Sequence, residues 1–540
     1  MAEMTGGQAL VQSLTRNGLD VIFGLPGVQL DWIFDALYDV KDSLPAYHTR
    51  NEQPTSFMAD GYARTTGKVG ACLVVPGPGV MNAMAGLSTA YAVSSPVLCI
   101  AGQIESAQIN AGRGMLHEVP NQLQMVASAT KWAGCATTPA EIPALVQEAF
   151  RQLRSGRPRP VEIEVPPDVL QTTADVTLLD PAPLERAEPD PELIAKAARA
   201  LGEAENPLIY AGGGVILSGA WEPLRELAEM LQAPVMMTPE GKGSISDRSY
   251  LAQNVVGGRQ LMPKSDVILA VGTRFLQPAT SPWGPTDKQT VIQIDIDPEE
   301  IGRNRTPDIG VLADADLALR ALVDQVGKHN RSRASREEEL RAVQERSMDV
   351  LFEVQPQATY ATAIREELAD DDIVISGMTQ VGYWSNMGFP VYEPRSFIGA
   401  GYQGTLGFEF ATALGAQVGN PDKRVVAVIG DGGFLYNVSE LSTAMRHNIN
   451  AIMVVFNDGA YGNVRRMQRE RFDGRVINSD LLNPDFMKLA DAFGVEGRQA
   501  HGPDGLREAL RGAMKEKHPT LIEVPVGEMP SSWGVLRGNS

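Results

Sequence analysis

Along the chain, short runs of β-branched and other apolar residues end in glycine or proline turns and lead into longer stretches with apolar positions at helical spacing. Strands buried on both faces of a parallel sheet, with helices packed outside, read this way. Three such blocks separate. In the first, strands are predicted at Val21-Ile22-Phe23, 71–75, 97–101 and 161–165. The stretch 172–191 then carries Asp180-Pro181-Ala182-Pro183 and Pro189-Asp190-Pro191, through which neither helix nor strand continues, so it reads as a linker. The second block has strands at 208–211, 267–271 and 291–296, and closes on the charged run 328–346, expected as a solvated helix and linker. The third opens near Pro356 and holds strands at 373–375, 425–429 and 451–456. No short internal repeat is visible. The fold class is therefore α/β, with three doubly wound parallel-sheet domains over 1–172, 191–327 and 355–540.

Composition narrows the partners. A chain of 540 residues is too long for one core, and 43% hydrophobic with 21% charged residues describes a globular protein. With 47 Lys+Arg against 66 Asp+Glu the net charge is -19, which argues against nucleic acid and anionic membrane as partners. Only Cys72, Cys99 and Cys135 are present, without a CxxC pair; the first two lie in apolar runs, as buried thiols of a reducing cytoplasm do. Met1-Ala2-Glu3-Met4-Thr5 has neither the basic start nor the apolar run of a signal peptide, and no window of about 18 apolar residues offers a membrane span. The expected location is cytoplasmic.

Chemistry enters at Ile429-Gly430-Asp431-Gly432-Gly433, followed by Val438, Leu441, Ala444, Met445 and Ile449 at helical spacing. A strand feeding that turn places Asp431 at the carboxyl edge of the sheet, where α/β sheets bind ligands. Glycines on either side let backbone amides approach a phosphate, and the carboxylate can hold the metal that neutralises it. Alone, Gly-Asp-Gly is an ordinary turn. The next strand, however, ends in Asn457-Asp458-Gly459-Ala460-Tyr461-Gly462, a second set of oxygen ligands of the kind Mg²⁺ takes. Far upstream, Arg50-Asn51-Glu52-Gln53-Pro54 reads as a helix start, with Asn51 as cap and Glu52 in the first turn.

Together these segments resemble the thiamine-diphosphate-dependent enzymes, in the branch that holds acetolactate synthases, benzoylformate decarboxylases and pyruvate oxidases. The match extends through Ala59-Asp60-Gly61-Tyr62-Ala63-Arg64, Gly24-Leu25-Pro26-Gly27, Gly77-Pro78-Gly79 with Asn82, Gly102-Gln103, Asp295-Ile296-Asp297-Pro298 and Gly404-Thr405-Leu406-Gly407-Phe408, in order over nearly the whole chain. The resemblance implies a pyrimidine-binding first domain, a central Rossmann-like domain and a diphosphate-binding third domain. It implies thiamine diphosphate and Mg²⁺ as cofactors, and a homodimer or homotetramer whose site is completed across two subunits. By the same resemblance Asp431, Asp458 and the carbonyl of Ala460 are the metal ligands. Asp458 stands where the family usually has Asn, adding a charge, and Asn457 is a substitute ligand. Gly430, Gly432, Gly433, Gln380 and Tyr461 are implied cofactor contacts; the Gly404 carbonyl accepts from the 4′-amino group, and Leu406 is the apolar wedge that bends the cofactor. Glu52, expected buried, hydrogen-bonds to the aminopyrimidine ring and favours the imino tautomer that removes the C2 proton.

The implied reaction is decarboxylation of a 2-oxo acid with ligation of the enamine to a second carbonyl, as in acetolactate synthases. The alternatives are a decarboxylase without ligation and a flavin-dependent 2-oxo acid oxidase. Simple decarboxylases of the family use an adjacent histidine pair, or one in the strand before the first glycine turn. Here that strand ends Val74-Val75-Pro76, and no His-His occurs among six histidines. His117, in Gly114-Met115-Leu116-His117-Glu118-Val119 where acetolactate synthases carry Phe-Gln-Glu, is the candidate for substrate contact or proton transfer. Val28, Gln29 and Gln103 are expected to face the substrate. The family's flavin-contacting run Arg-Phe-Asp-Asp-Arg reads Arg274-Phe275-Leu276-Gln277-Pro278, so FAD is expected to be absent. Ala211-Gly212-Gly213-Gly214 lacks the full GxGxxG spacing and is a weak dinucleotide signal.

Overall fold

The computed structural model describes residues 2–534; residue 1 and residues 535–540, counted above in the first and third domains, lie outside the described residues. Three six-stranded sheets form, every pairing in them parallel. The first runs Ala46–His48, Ile22–Gly24, Gly70–Val74, Val97–Gly102, Val161–Val165, Trp132–Cys135 from edge to edge. The third runs Phe397–Gly399, Ile373–Ser376, Val425–Gly430, Ile452–Asn457, Thr520–Pro525, Glu496–Gln499. These two windings are the same: the second strand in sequence lies outside the first, and the last two exchange places at the far edge. The repeat that the residues hide is thus present in the topology. In both sheets the direction of winding reverses between the first and third strands, which opens a crevice at their carboxyl ends. The middle sheet is wound differently, as Ala252–Gln253, Val235–Met237, Pro207–Ala211, Val267–Val271, Thr290–Asp295, Ile309–Leu312, the order of dinucleotide folds.

Two expectations change. Thr173–Val176, inside the stretch read as a linker, is a strand that pairs antiparallel with Ala2–Thr5. Four residues with one buried valine give too short an alternation to stand out in sequence. The charged run does yield a helix, Glu337–Phe352, but Leu340, Val343, Ser347 and Leu351 form a buried face, so it is packed and not freely solvated. Gln253 Nε2 donates to the Leu340 carbonyl at 3.3 Å from the middle sheet.

The outer domains are locked together by helices Glu52–Thr66 and Phe408–Gly419, which meet backbone to backbone. A Cβ on Gly61 would stand 2.1 Å from the Thr412 carbonyl oxygen, and one on Gly415 1.9 Å from that of Met58, so neither position admits a side chain. A single apolar core accordingly spans both outer sheets. Arg64, buried on the first of these helices, donates to the Gly399 carbonyl and to Glu240 of the middle domain, both at 2.7 Å, and so ties all three domains. Cys72, Cys99 and Cys135 are free thiols. Among the described residues, no helix is long and apolar enough to cross a membrane.

Candidate active site

The crevice between Ile373–Ser376 and Val425–Gly430 opens into a cleft whose empty space, its open mouth included, is about 660 Å³. Gln380, Leu406, Gly430, Asp431, Gly432, Gly433, Asp458, Ala460 and Tyr461 all line it. Gly404, in the left-handed region at φ 59°, lies on the turn just before Leu406.

Strand Val425–Gly430 delivers Asp431 into the first turn of the helix Asp431–Phe434, with the side chain 2% exposed. Burial raises its pKa above the ordinary carboxylate range, while a hydrogen bond from Asn483 Nδ2 to Oδ2, at 2.6 Å, works against the rise. Across the cleft, burial and the neighbouring Asp431 charge push Asp458 up to about 6, with Arg465 opposing from 3.9 Å. Two mutually repelling carboxylates at one oxygen-rich turn are what a divalent cation would relieve. Asn457 is already engaged. Its Nδ2 donates to Glu523 at 2.8 Å, and its Oδ1 accepts from the Gly459 N–H at 3.2 Å and from Asn483 at 2.9 Å. The residues also leave room for a phosphate: a Cβ on Gly432 would meet the Tyr461 ring at 2.7 Å, so the cradle is held open by glycine. Gln380 Oε1 and Asn483 Oδ1, buried without a hydrogen-bond partner, are acceptors suited to a cation or an N–H donor.

Two residues here carried no sequence signal. Asn483 belongs to a segment that clamps the Asp458 turn from outside: Tyr461 N–H donates to the Ser479 carbonyl and Leu481 N–H to that of Gly459, each at 2.8 Å. Glu409, at the start of the helix Phe408–Gly419, is 1% exposed; Oε1 accepts from the Met378 N–H at 2.8 Å and Oε2 has no partner. Burial pushes its carboxyl up to about 7. A carboxyl raised on folding contributes stability that is complete below the ordinary carboxylate range and is lost as pH climbs through about 7. Glu409→Gln keeps the acceptor and removes the charge. The variant is therefore expected to gain up to about 3 kcal/mol on the parent between about pH 5 and about pH 8. Denaturant unfolding at both values checks this, and an unchanged difference would place the charge elsewhere.

None of the first-domain site residues lines this cleft. Glu52 opens its helix as expected, with Asn51 accepting from the Gln53 N–H at 2.9 Å, and its Oε2 accepts from Asn82 Nδ2 at 2.9 Å. It is half-buried and not buried as expected. Gln29 is buried, with Nε2 donating to the Leu116 carbonyl and Oε1 3.1 Å from His117 Nδ1, so it holds the His117 loop and does not lie open to a substrate. Val28 is 61% exposed beside it. Gln103 departs further from expectation: it is buried, Nε2 donates to Glu164 at 3.0 Å and Oε1 accepts from the Ile104 N–H at 2.7 Å, leaving neither end for a substrate. In the middle domain Phe275 packs into the core on Tyr210, and Arg274 stacks over the Tyr402 ring at 4.1 Å. Gly212 and Gly214 spend their amides on the carbonyls of Val271 and Gly272.

Known families match each domain in turn. The "Thiamine pyrophosphate enzyme, N-terminal TPP binding domain" family matches residues 4–125, its central domain 194–322, and its C-terminal TPP binding domain 377–524. The chain is 35% identical to a probable acetolactate synthase large subunit of Methanocaldococcus jannaschii, over 97% of this chain and 92% of that one. It is 31% identical to the acetolactate synthase isozyme 2 large subunit of Escherichia coli, over 99% and 97%. It is also 34% identical to a probable 2-ketoarginine decarboxylase of Pseudomonas aeruginosa, over 96% and 94%.

Proposed function

Since the chain belongs to the thiamine pyrophosphate enzyme family, we propose that it decarboxylates a 2-oxo acid and joins the retained fragment to a second carbonyl compound, as a transferase or lyase of the acetolactate synthase kind. The observation that carries the reading is the pairing of Asp431 and Asp458 at the end of neighbouring strands, inside a glycine-walled cleft at the winding reversal. Asp431, Asp458 and the Ala460 carbonyl would hold Mg²⁺, and the amides beside Gly430, Gly432 and Gly433 would take the diphosphate. When bound, thiamine diphosphate supplies the nucleophilic carbon and the electron sink for loss of carbon dioxide. The protein's own groups do the rest. Glu52 would hold and return a proton at the aminopyrimidine ring, the Gly404 carbonyl would accept from the amino group, and Leu406, Gln380 and Tyr461 would line the space the cofactor takes. His117, steadied by Gln29, and the exposed Val28 would meet the substrate.

Both half-sites end in uncovered apolar side chains: Val28, Met81 and Leu116 beside the first, and Tyr436, Val464 and Leu482 around the second. Apolar surface of this kind, next to an acid and a phosphate cradle that one chain does not bring together, supports completion by a second copy in a homodimer or homotetramer. Free thiols and an acidic surface support a cytoplasmic setting.

The similarity to a 2-ketoarginine decarboxylase favours a second reading, decarboxylation without ligation. A panel of 2-oxo acids, with and without thiamine diphosphate and Mg²⁺, separates the two when carbon dioxide is measured and products are identified by NMR. A 2-hydroxyketone formed only with both cofactors is expected. An aldehyde as sole product would hand the case to the second reading, and no carbon dioxide from any acid would sink both.

A further inference from the structure

The first sheet carries an acidic pair with no part in the chemistry above. Glu162 and Glu164 alternate on the strand Val161–Val165, so both side chains leave the same face, and they are 0% and 1% exposed. Across the parallel register Glu162 lies beside Cys99, and Cys99 beside Cys72, while Glu164 lies beside Cys135. Among the described residues neither carboxyl is in an ion pair with a cation. Two buried carboxylates without a cation are too costly to keep ionised together. Burial and the Glu164 charge hold Glu162 well above the ordinary range, and both Glu162 oxygens are buried without a hydrogen-bond partner. Glu162, with no donor at either oxygen, is therefore the member that stays protonated, and Glu164, which faces two amide NH₂ groups, is the acceptor.

The consequence is polarity. As a pure acceptor, Glu164 makes Gln103 and Gln122 point their NH₂ groups inward, to Oε2 and Oε1, each at 3.0 Å. Their carbonyl oxygens must then face the sheet edge, where they accept from the Ile104 and Gly77 N–H groups, both at 2.7 Å. Gly77, at φ 60°, is pressed so near the His117 carbonyl that a Cβ would stand 2.3 Å from it, and it leads directly into the helix Pro78–Val93. That helix bears Asn82, which donates to Glu52.

We propose that Glu164 is a positioning residue for Glu52: as acceptor of both amides it fixes the direction of Gln103 and Gln122 and so anchors the Gly77 turn from which Asn82 addresses the acid. The proposal rests on the activating role given to Glu52 above. Its test is the rate of hydrogen–deuterium exchange at C2 of thiamine diphosphate bound to the holoenzyme, read by acid quench and NMR beside kcat, KM, cofactor affinity and thermal midpoint.

Glu164→Gln gives the site an NH₂ of its own, so one of the two amides must turn over and release its turn. Exchange and kcat are expected to fall about tenfold, with KM, cofactor affinity and midpoint near those of the parent. Glu162→Gln leaves the contacts of Glu164 with Gln103 and Gln122 in place and is expected to stay within about twofold of the parent. Parent-like exchange in Glu164→Gln would overturn the proposal, and so would an equal loss in both variants. Should Glu164→Gln fail to fold, Gln122→Met carries the test, because it strips the acceptor from Gly77 while sparing Glu164; slowed exchange supports the proposal and unchanged exchange defeats it. Glu52→Gln is the control. If it leaves exchange untouched, the role of Glu52 and this proposal fall together; if it slows exchange and the others do not, only the positioning role falls.

Discussion

Glu52→Gln is expected to lower turnover at least about a hundredfold, because a carboxamide can keep the hydrogen bonds but cannot pass a proton to and from the ring. The local frame should survive. Asn82 Nδ2 can still donate to the carbonyl oxygen of the new side chain, and the Asn51 cap is made by a different residue. Folding and cofactor affinity are therefore expected to change little, which separates loss of proton transfer from loss of binding. Steady-state kinetics on whichever 2-oxo acid the panel selects, with titration calorimetry of thiamine diphosphate, measures both. Near-normal turnover would remove Glu52 from the mechanism.

The opposite signature is expected of Asp431→Ala, which should abolish metal-dependent retention of thiamine diphosphate. A hard cation needs several oxygen ligands, and here the substitution takes one of two side-chain carboxylates and leaves Asn483 with Asn457 as its remaining acceptor. The same change removes the repulsion that helps push Asp458 up to about 6, so the metal-free protein should not pay for the lost group in electrostatic stability. Calorimetry with Mg²⁺ and thiamine diphosphate together reads the first effect, and thermal unfolding without either reads the second. Unchanged cofactor affinity would contradict the ligand assignment.

What could be read from residues alone follows from where each signal lies. Strands such as 97–101, 267–271 and 425–429 are buried on both faces and leave unbroken apolar runs, whereas Ala46–His48, Val235–Met237 and Glu496–Gln499 are too short or too polar to stand out. Asp431 and Asp458 were legible because adjacent parallel strands end at one edge, so sequence order already gives proximity. Asn483 and the Glu164 partners were not, because their contacts reach across 52, 61 and 42 residues between elements whose packing no local pattern encodes. Gln103 shows the limit of a motif: the position matched, yet the side chain turns inward to an acid that the motif does not contain. Glu52 departed only in its degree of burial, which depends on packing that no local pattern encodes.

The glycine-to-glycine lock between the outer domains has one more consequence. It holds the acid and the phosphate cradle of one chain in a fixed relation, so in the proposed homodimer every working centre would be a loan between neighbours. A copy crippled at position 52, joined to one crippled at 431, would ruin one centre twice over and leave the other whole. Two dead proteins, assembled together, would then make one that is half alive.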